Sequence, residues 1–255
     1  MATMLPRTLV ALCLLMSACE EKKTPPPKPP ATAKPAEKTD AFTEFYNEGN
    51  LQREKFAYRE ALTAYEKALA LCDKVADAQR WSKTAKRAAW THQALGSYDK
   101  AEALFREILA QNDAQFGKPS PDSAETNDAL VRILCLTGKL ADAESLLRDM
   151  VDVCEDTLGK NNPQETTTGS DSHRLSESLQ NLGDFLTDLG RRKEAEPIYK
   201  KALQVEIDCQ VKTKIQDSTL YYYQIGYEQT LEALGETEEQ AQEKIDKMME
   251  PLSKK

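Results

Sequence analysis

The sequence predicts an all-α fold, a stack of antiparallel helix pairs, on three observations. Charged residues make up 30% of the 255-residue chain and aromatics only 7%. That profile suits charged helices around a thin core better than sheets built from aromatic and β-branched side chains. A small alanine followed four residues later by a large apolar side chain recurs as Ala61/Tyr65, Ala101/Phe105, Ala143/Leu147 and Ala195/Tyr199. The two members of each couple sit one turn apart on a single helix face, the alanine allowing close approach and the larger residue filling the next groove. The recurrence is also in register: Gly96 to Gly138, Ala101 to Ala143, Gly117 to Gly159 and Pro121 to Pro163 are all steps of 42 residues, the mark of a repeat architecture.

The chain opens with Arg7 as the single charge before a nearly all-apolar Thr8–Met16 run, closed by Ser17, Ala18 and Cys19. This is the pattern of an export signal, and the run is about half the ~20 residues a spanning helix needs. Leu15-Met16-Ser17-Ala18-Cys19 resembles a bacterial lipobox, with Met16 departing from the usual leucine. The resemblance implies a signal peptide over 1–18 and lipidation of Cys19, where several acyl chains make a stable anchor. Glu20, in place of the aspartate that retains enteric lipoproteins at the inner membrane, points to the outer membrane, facing the periplasm. Residues 20–40 hold six of the twelve prolines and no large apolar side chain. Residues 19–40 therefore read as the attachment cysteine and a linker near polyproline II, reaching up to roughly 60 Å at about 3.1 Å per residue.

The body, 41–252, carries the repeats. Phe56-Ala-Tyr-Arg-Glu-Ala61-Leu-Thr-Ala-Tyr65 recurs as Gly96-Ser-Tyr-Asp-Lys-Ala101-Glu-Ala-Leu-Phe105, as Gly138-Lys-Leu-Ala-Asp-Ala143-Glu-Ser-Leu-Leu147 and as Gly190-Arg-Arg-Lys-Glu-Ala195-Glu-Pro-Ile-Tyr199. A first-helix signature stands as Leu182-Gly183 and Glu48-Gly49, decayed to Ala88-Ala89 and Leu130-Val131. These motifs resemble the tetratricopeptide repeat (TPR). The 42-residue unit, with Phe116-Gly-Lys-Pro-Ser-Pro-Asp echoed by Leu158-Gly-Lys-Asn-Asn-Pro-Gln, resembles the longer kinesin-light-chain type. The resemblance implies an α-solenoid, a superhelix of about four repeats plus C-terminal capping helices. Its second helices would run to a glycine C-cap and a proline stop.

Two junctions are irregular. The step from Ala143 to Ala195 is 52, ten residues longer, and that from Ala61 to Ala101 is 40. The extra residues, around Glu-Thr-Thr-Thr-Gly-Ser-Asp-Ser, read as a loop or a longer helix entry. Pro197 is expected near its helix start, where a missing N–H costs least. Tyr221–Leu234 and Glu236–Met249 are expected to pair around Gly235 as a cap lacking the signature.

In arrays of this kind the first helices line a concave groove. The positions carried over are Tyr46, Asn50 and Arg53; Lys83, Lys86, Trp90 and Gln93; Glu125, Asp128, Arg132 and Cys135; and Glu177, Gln180, Asp184 and Asp188. The groove reads basic at the second copy and acidic at the fourth, with Tyr46 and Trp90 as aromatic anchors. This implies an extended or helical peptide whose acidic end lies near Lys83 and Lys86. The chaperone-type carboxylate clamp is matched only at Asn50 and is rejected. Trp81 and Tyr221-Tyr222-Tyr223 read as packing, with at least one tyrosine turned outward.

A net charge of −8 argues against nucleic acid as a partner. Cys72, Cys135, Cys154 and Cys209 form no C-x-x-C and read as small buried hydrophobes; His92 and His173 fall in different repeats. With no Gly-rich phosphate loop either, no enzyme activity, metal, cofactor or small-molecule substrate is expected. The expected function is a non-catalytic protein–protein interaction scaffold, tethered to the membrane through its lipid alone. Narrower alternatives are an assembly factor for an outer-membrane barrel or pilus secretin, and a recruiting module for a peptidoglycan-modifying enzyme.

Overall fold

The computed structural model describes residues 40–116, 121–160, 170–215 and 218–253. The expectations for the signal 1–18, for Cys19 and for the linker up to residue 39 lie outside the described residues, as do residues 117–120, 161–169, 216–217 and 254–255. The helices are α1 (Ala41–Glu54), α2 (Tyr58–Leu69), α3 (Ala78–Ala94), α4 (Tyr98–Phe116), α5 (Pro121–Leu136), α6 (Leu140–Lys160), α7 (Ser170–Asp188), α8 (Arg192–Thr213), α9 (Leu220–Ala233) and α10 (Glu238–Ser253). No strand occurs among the described residues. The chain divides at 140/141 into two compact units, the first holding α1–α5 and the second α6–α10.

Five helix-to-helix turns share one construction. In each, an N–H bonds the carbonyl five residues back: Ala57 to Gln52, Ser97 to His92, Lys139 to Leu134, Arg191 to Leu186 and Glu236 to Leu231. This is the Schellman closure, which satisfies a carbonyl left over at a helix end and needs a left-handed residue just before the donor. Gly96, Gly138, Gly190 and Gly235 supply it. In the first pair the place is taken by Phe56, at φ 60° and 78% exposed. A side chain in that conformation costs energy that glycine does not.

The repeated couples form the core. Ala61, Tyr65, Ala101, Phe105, Ala143, Leu147, Ala195 and Tyr199 are all buried. Ala241 and Ile245 are buried in the same arrangement on α10. The last pair therefore does carry the alanine couple, contrary to the expectation of a cap without it.

Tyr65 lies flat on α1 where Gly49 has no side chain; a Cβ there would fall 2.4 Å from the ring. Tyr199 lies on Gly183 of α7 in the same way, with an added Cβ at 2.7 Å, and α9 approaches it through Gly226. Ala89 and Val131 stand at the matching place in the copies whose second-helix residue is Phe105 or Leu147.

Charge adds a second recurring tie. The glutamate after the repeat alanine meets the cation after the next turn glycine: Glu102 with Lys139 at 2.8 Å in the first unit, Glu144 with Arg191 at 2.5 Å in the second. The hydrogen bond from Arg191, with a second from Arg148, holds the Glu144 carboxyl below its usual range. In the fourth pair the equivalent Glu196, on α8, instead accepts a hydrogen bond from the Tyr227 hydroxyl at 3.2 Å.

Other expectations need correction. Pro197 is the sixth residue of α8, beyond the first turn, so the Lys193 carbonyl loses its helical donor. Both residues are exposed, and water can satisfy that carbonyl. Gly159 lies inside α6, which runs one residue past it, and Pro121 opens α5. Proline suits a first helical position because its absent N–H would be unpaired there anyway. Ser170, Asp171 and Ser172, from the ten-residue insertion, form the first turn of α7.

The four cysteines among the described residues form no disulfide, with Cys135 and Cys209 buried and Cys72 and Cys154 half-buried. His92 is buried with its Nδ1 unpartnered, and burial holds its pKa below the ordinary 6.5.

Three outcomes follow from the turns and the glycine contacts. Phe56→Gly should raise stability by about 0.5–1 kcal/mol, read as a higher urea midpoint. Gly183→Ala should lower it by about 1–3 kcal/mol through overpacking. Ala89→Gly, with no ring to receive, should cost only about 0.5–1 kcal/mol from helix propensity.

Candidate functional site

In the first unit the chemistry concentrates on α3. Arg80, Lys83, Lys86 and Arg87 lie on a helix with no aspartate or glutamate between residues 78 and 94. Successive spacings of three to four residues put Arg80, Lys83, Arg87 and Trp90 on one face. Three of these cations sit over rings: Arg80 over Phe42 at 5.1 Å, Lys83 over Tyr46 at 5.2 Å and Arg87 over Trp90 at 5.5 Å. Two more such pairs, Lys67 over Phe45 and Lys74 over Trp81, fall in the same part of the chain. About one such contact per 70–80 residues is usual, so five between residues 42 and 90 mark a dense cation–aromatic surface.

The carried-over positions in this unit do not all face outward free of partners. Tyr46 is half-buried, stacked on Phe42 at 5.9 Å and tilted against Tyr65 at 6.2 Å. Asn50 accepts a hydrogen bond from the Tyr65 hydroxyl at 2.9 Å. Arg53 lies beside the same tyrosine, its Nε buried without a partner. Lys86 has a side chain only 17% exposed and pairs with Glu125 at 3.4 Å. Trp90, Gln93 and Arg132 are half-buried, Asp128 is half-buried and partnered, and Cys135 is buried in the core. Lys83 is exposed and has no carboxylate partner among the described residues.

In the second unit, Gln180 and Asp184 meet over Tyr199. The Tyr199 hydroxyl donates to Asp184 Oδ1 at 2.7 Å and the Gln180 amide donates to the same oxygen at 3.1 Å. Thr187 Oγ1 is 3.3 Å from the Tyr199 hydroxyl. These groups line a cavity of about 440 Å³, closed on its other side by α9 through Tyr222, Gly226 and Gln229. Burial raises the Asp184 carboxyl above its ordinary 3.8, against the lowering effect of its two hydrogen bonds, and burial raises Asp188 as well. Burial also pushes the Tyr199 hydroxyl up, beside the Asp184 carboxylate. Glu177 is exposed on the same helix. Tyr221 and Tyr222 are exposed while Tyr223 is buried, so two of the three rings turn outward.

Two stretches of the chain, 84–156 and 175–205, match tetratricopeptide-repeat family models. The chain carries TPR repeats. No curated protein matches it in sequence. Among solved structures, BtubC (BKLC) from P. vanneervenii is similar with a TM-score of 0.55 at 16% identity, over 81% of this chain and 79% of that one. The structure of Podosopora anserina "putative kinesin light chain nearly identical TPR-like repeats" reaches a TM-score of 0.55 at 15% identity, over 83% of this chain and 96% of that one. At such identity the likeness is one of fold, an α-solenoid of TPR type.

Within the TPR frame Asn50 and Asp184 hold one position, the residue after the first-helix glycine. Each accepts a hydroxyl bond from the tyrosine fifteen residues on. That shared spacing, Asn50 to Tyr65 and Asp184 to Tyr199, was available in the sequence and went unread. Arg80, Arg87 and Phe42 were missed as well; counting charges along α3 would have found the two arginines. Among the described residues no group of three or more His, Cys, Asp or Glu could hold a metal ion, and no helix is long and apolar enough to cross a membrane.

The raised Asp184 pKa fixes a sign. Between 3.8 and its raised value the folded chain holds a proton that the unfolded chain releases, so this group's contribution to stability falls as pH rises through that window. Asp184→Asn keeps an acceptor for Tyr199 and removes the charge. It should melt higher than the parent at neutral pH, and the advantage should vanish below pH 3.8, in thermal scans of both proteins.

Proposed function

We propose that this chain is a protein-binding scaffold whose first unit takes an acidic, extended or helical segment of a partner along α3. The observation that carries the reading is the one-signed charge of that helix: four cations and no carboxylate of its own. Arg80 pairs with Asp40 at 3.0 Å and Lys86 with Glu125, while Lys83 and Arg87, laid over Tyr46 and Trp90, have no carboxylate partner among the described residues. Cations held on ring faces lose fewer side-chain rotamers when a carboxylate arrives, so the surface is pre-organised for acidic groups. TPR repeats bind other proteins or peptides, and the matched family models support that general role. A tether through lipidated Cys19 to the outer membrane, facing the periplasm, completes the proposal on the lipobox-like Leu15–Cys19.

The test is affinity purification of the C-terminally tagged full chain from gently cross-linked cells, beside a Lys83→Glu/Arg87→Glu variant. Lys86 is left intact because it is covered and paired with Glu125. One stoichiometric partner that is lost with the variant is the expected result. The same partner surviving would remove α3 from the interface, and no partner would count against the scaffold reading. Cys19→Ala should abolish incorporation of labelled palmitate and release the chain from the membrane fraction.

A further inference from the structure

We propose that the cavity over Tyr199 in the second unit receives the cationic side chain, lysine or arginine, of a bound partner segment. The proposal rests on the reading of this chain as a protein-binding module and names the chemistry of one of its subsites. The cavity, at about 440 Å³, falls in the range of about 300–1,000 Å³ typical of built ligand sites. Its lining includes donors on Thr187, Arg192, Tyr222 and Gln229, yet one buried acceptor is left without any of them. Asp184 Oδ1 takes both available hydrogen bonds, from Tyr199 and from Gln180. Gln180 Oε1 is buried with no partner at all. Asp188, one turn further along α7 and outside the lining, adds a second half-buried carboxylate near Asp184. Arg192, the cation in the lining, is exposed and pairs with neither carboxylate among the described residues.

The repeat supplies its own control. Asn50 stands where Asp184 stands and accepts the same tyrosine bond at 2.9 Å. Packing therefore requires an acceptor at this place and not a charge. A desolvated carboxylate costs more than an amide, so the negative charge at residue 184 is a local expense without a structural return. Groups kept in such a state cluster at functional sites. A primary ammonium or a guanidinium entering the cavity offers a donor to Gln180 Oε1 and a positive charge to Asp184, with which the exposed Arg192 of the lining does not pair among the described residues. The aliphatic stem of the entering side chain would lie against Tyr222, whose ring is 66% exposed at the cavity mouth.

The test selects short, end-capped peptides of random sequence on the immobilised full chain. It is repeated on Asp184→Asn/Asp188→Asn and on Glu238→Gln/Glu239→Gln, which loses the same charge from the exposed start of α10. Circular dichroism confirms that each variant is as helical as the parent. The expected result is a lysine or arginine enriched at a fixed place in the peptides held by the parent and by the α10 variant, and lost with Asp184→Asn/Asp188→Asn. A selected peptide with its lysine replaced by norleucine, or its arginine by citrulline, should bind the parent about ten-fold more weakly. Peptides retained without a basic preference would overturn the cavity proposal and leave the scaffold reading standing. So would a preference that survives in Asp184→Asn/Asp188→Asn. If the full chain retains no peptide, the scaffold reading fails and this proposal fails with it.

Discussion

The structure depends on the fit between a large second-helix residue and a small first-helix residue. Where that residue is tyrosine, the fit is strictest: the ring occupies the space a Cβ would need at Gly49 or Gly183. The alanine one turn before it brings the helices close enough for the contact to form. The Schellman turns set where each second helix starts, and the Glu102–Lys139 and Glu144–Arg191 ties join one helix pair to the turn of the next.

The helices were legible because this couple is local and periodic. Ala61/Tyr65 and its copies can be read with a ruler, and the turn glycines sit five residues ahead of three of them. The fifth couple escaped notice because Gly235 stands six residues before Ala241, not five. One added turn residue moved the signature out of register without altering the packing. Pro197 misled for a related reason: counting from the alanine gives its place in the repeat, whereas the strain it causes depends on where the helix begins.

The candidate sites were legible only in outline. Basic character on α3 and acidic character on α7 follow directly from the residue types. What each side chain is engaged in does not. Lys86 and Lys83 look alike in sequence, yet one is covered and paired while the other stands open above Tyr46. Asp184 reads in sequence as a ligand contact, and its main bond is internal, from the Tyr199 hydroxyl. Such distinctions come from burial and direction across helices, which a one-dimensional pattern does not encode.

The bond from tyrosine to the residue after the glycine has a wider consequence. It asks only for an acceptor, and where the second helix carries phenylalanine or leucine it asks for nothing. In this chain the position reads Asn50, Trp90, Arg132 and Asp184: an amide, an indole, a guanidinium and a carboxylate. The scaffold thus keeps one residue per repeat open to exchange at little cost to folding. Anyone redesigning what such an array recognises could rewrite that column alone and leave the alanine couples untouched.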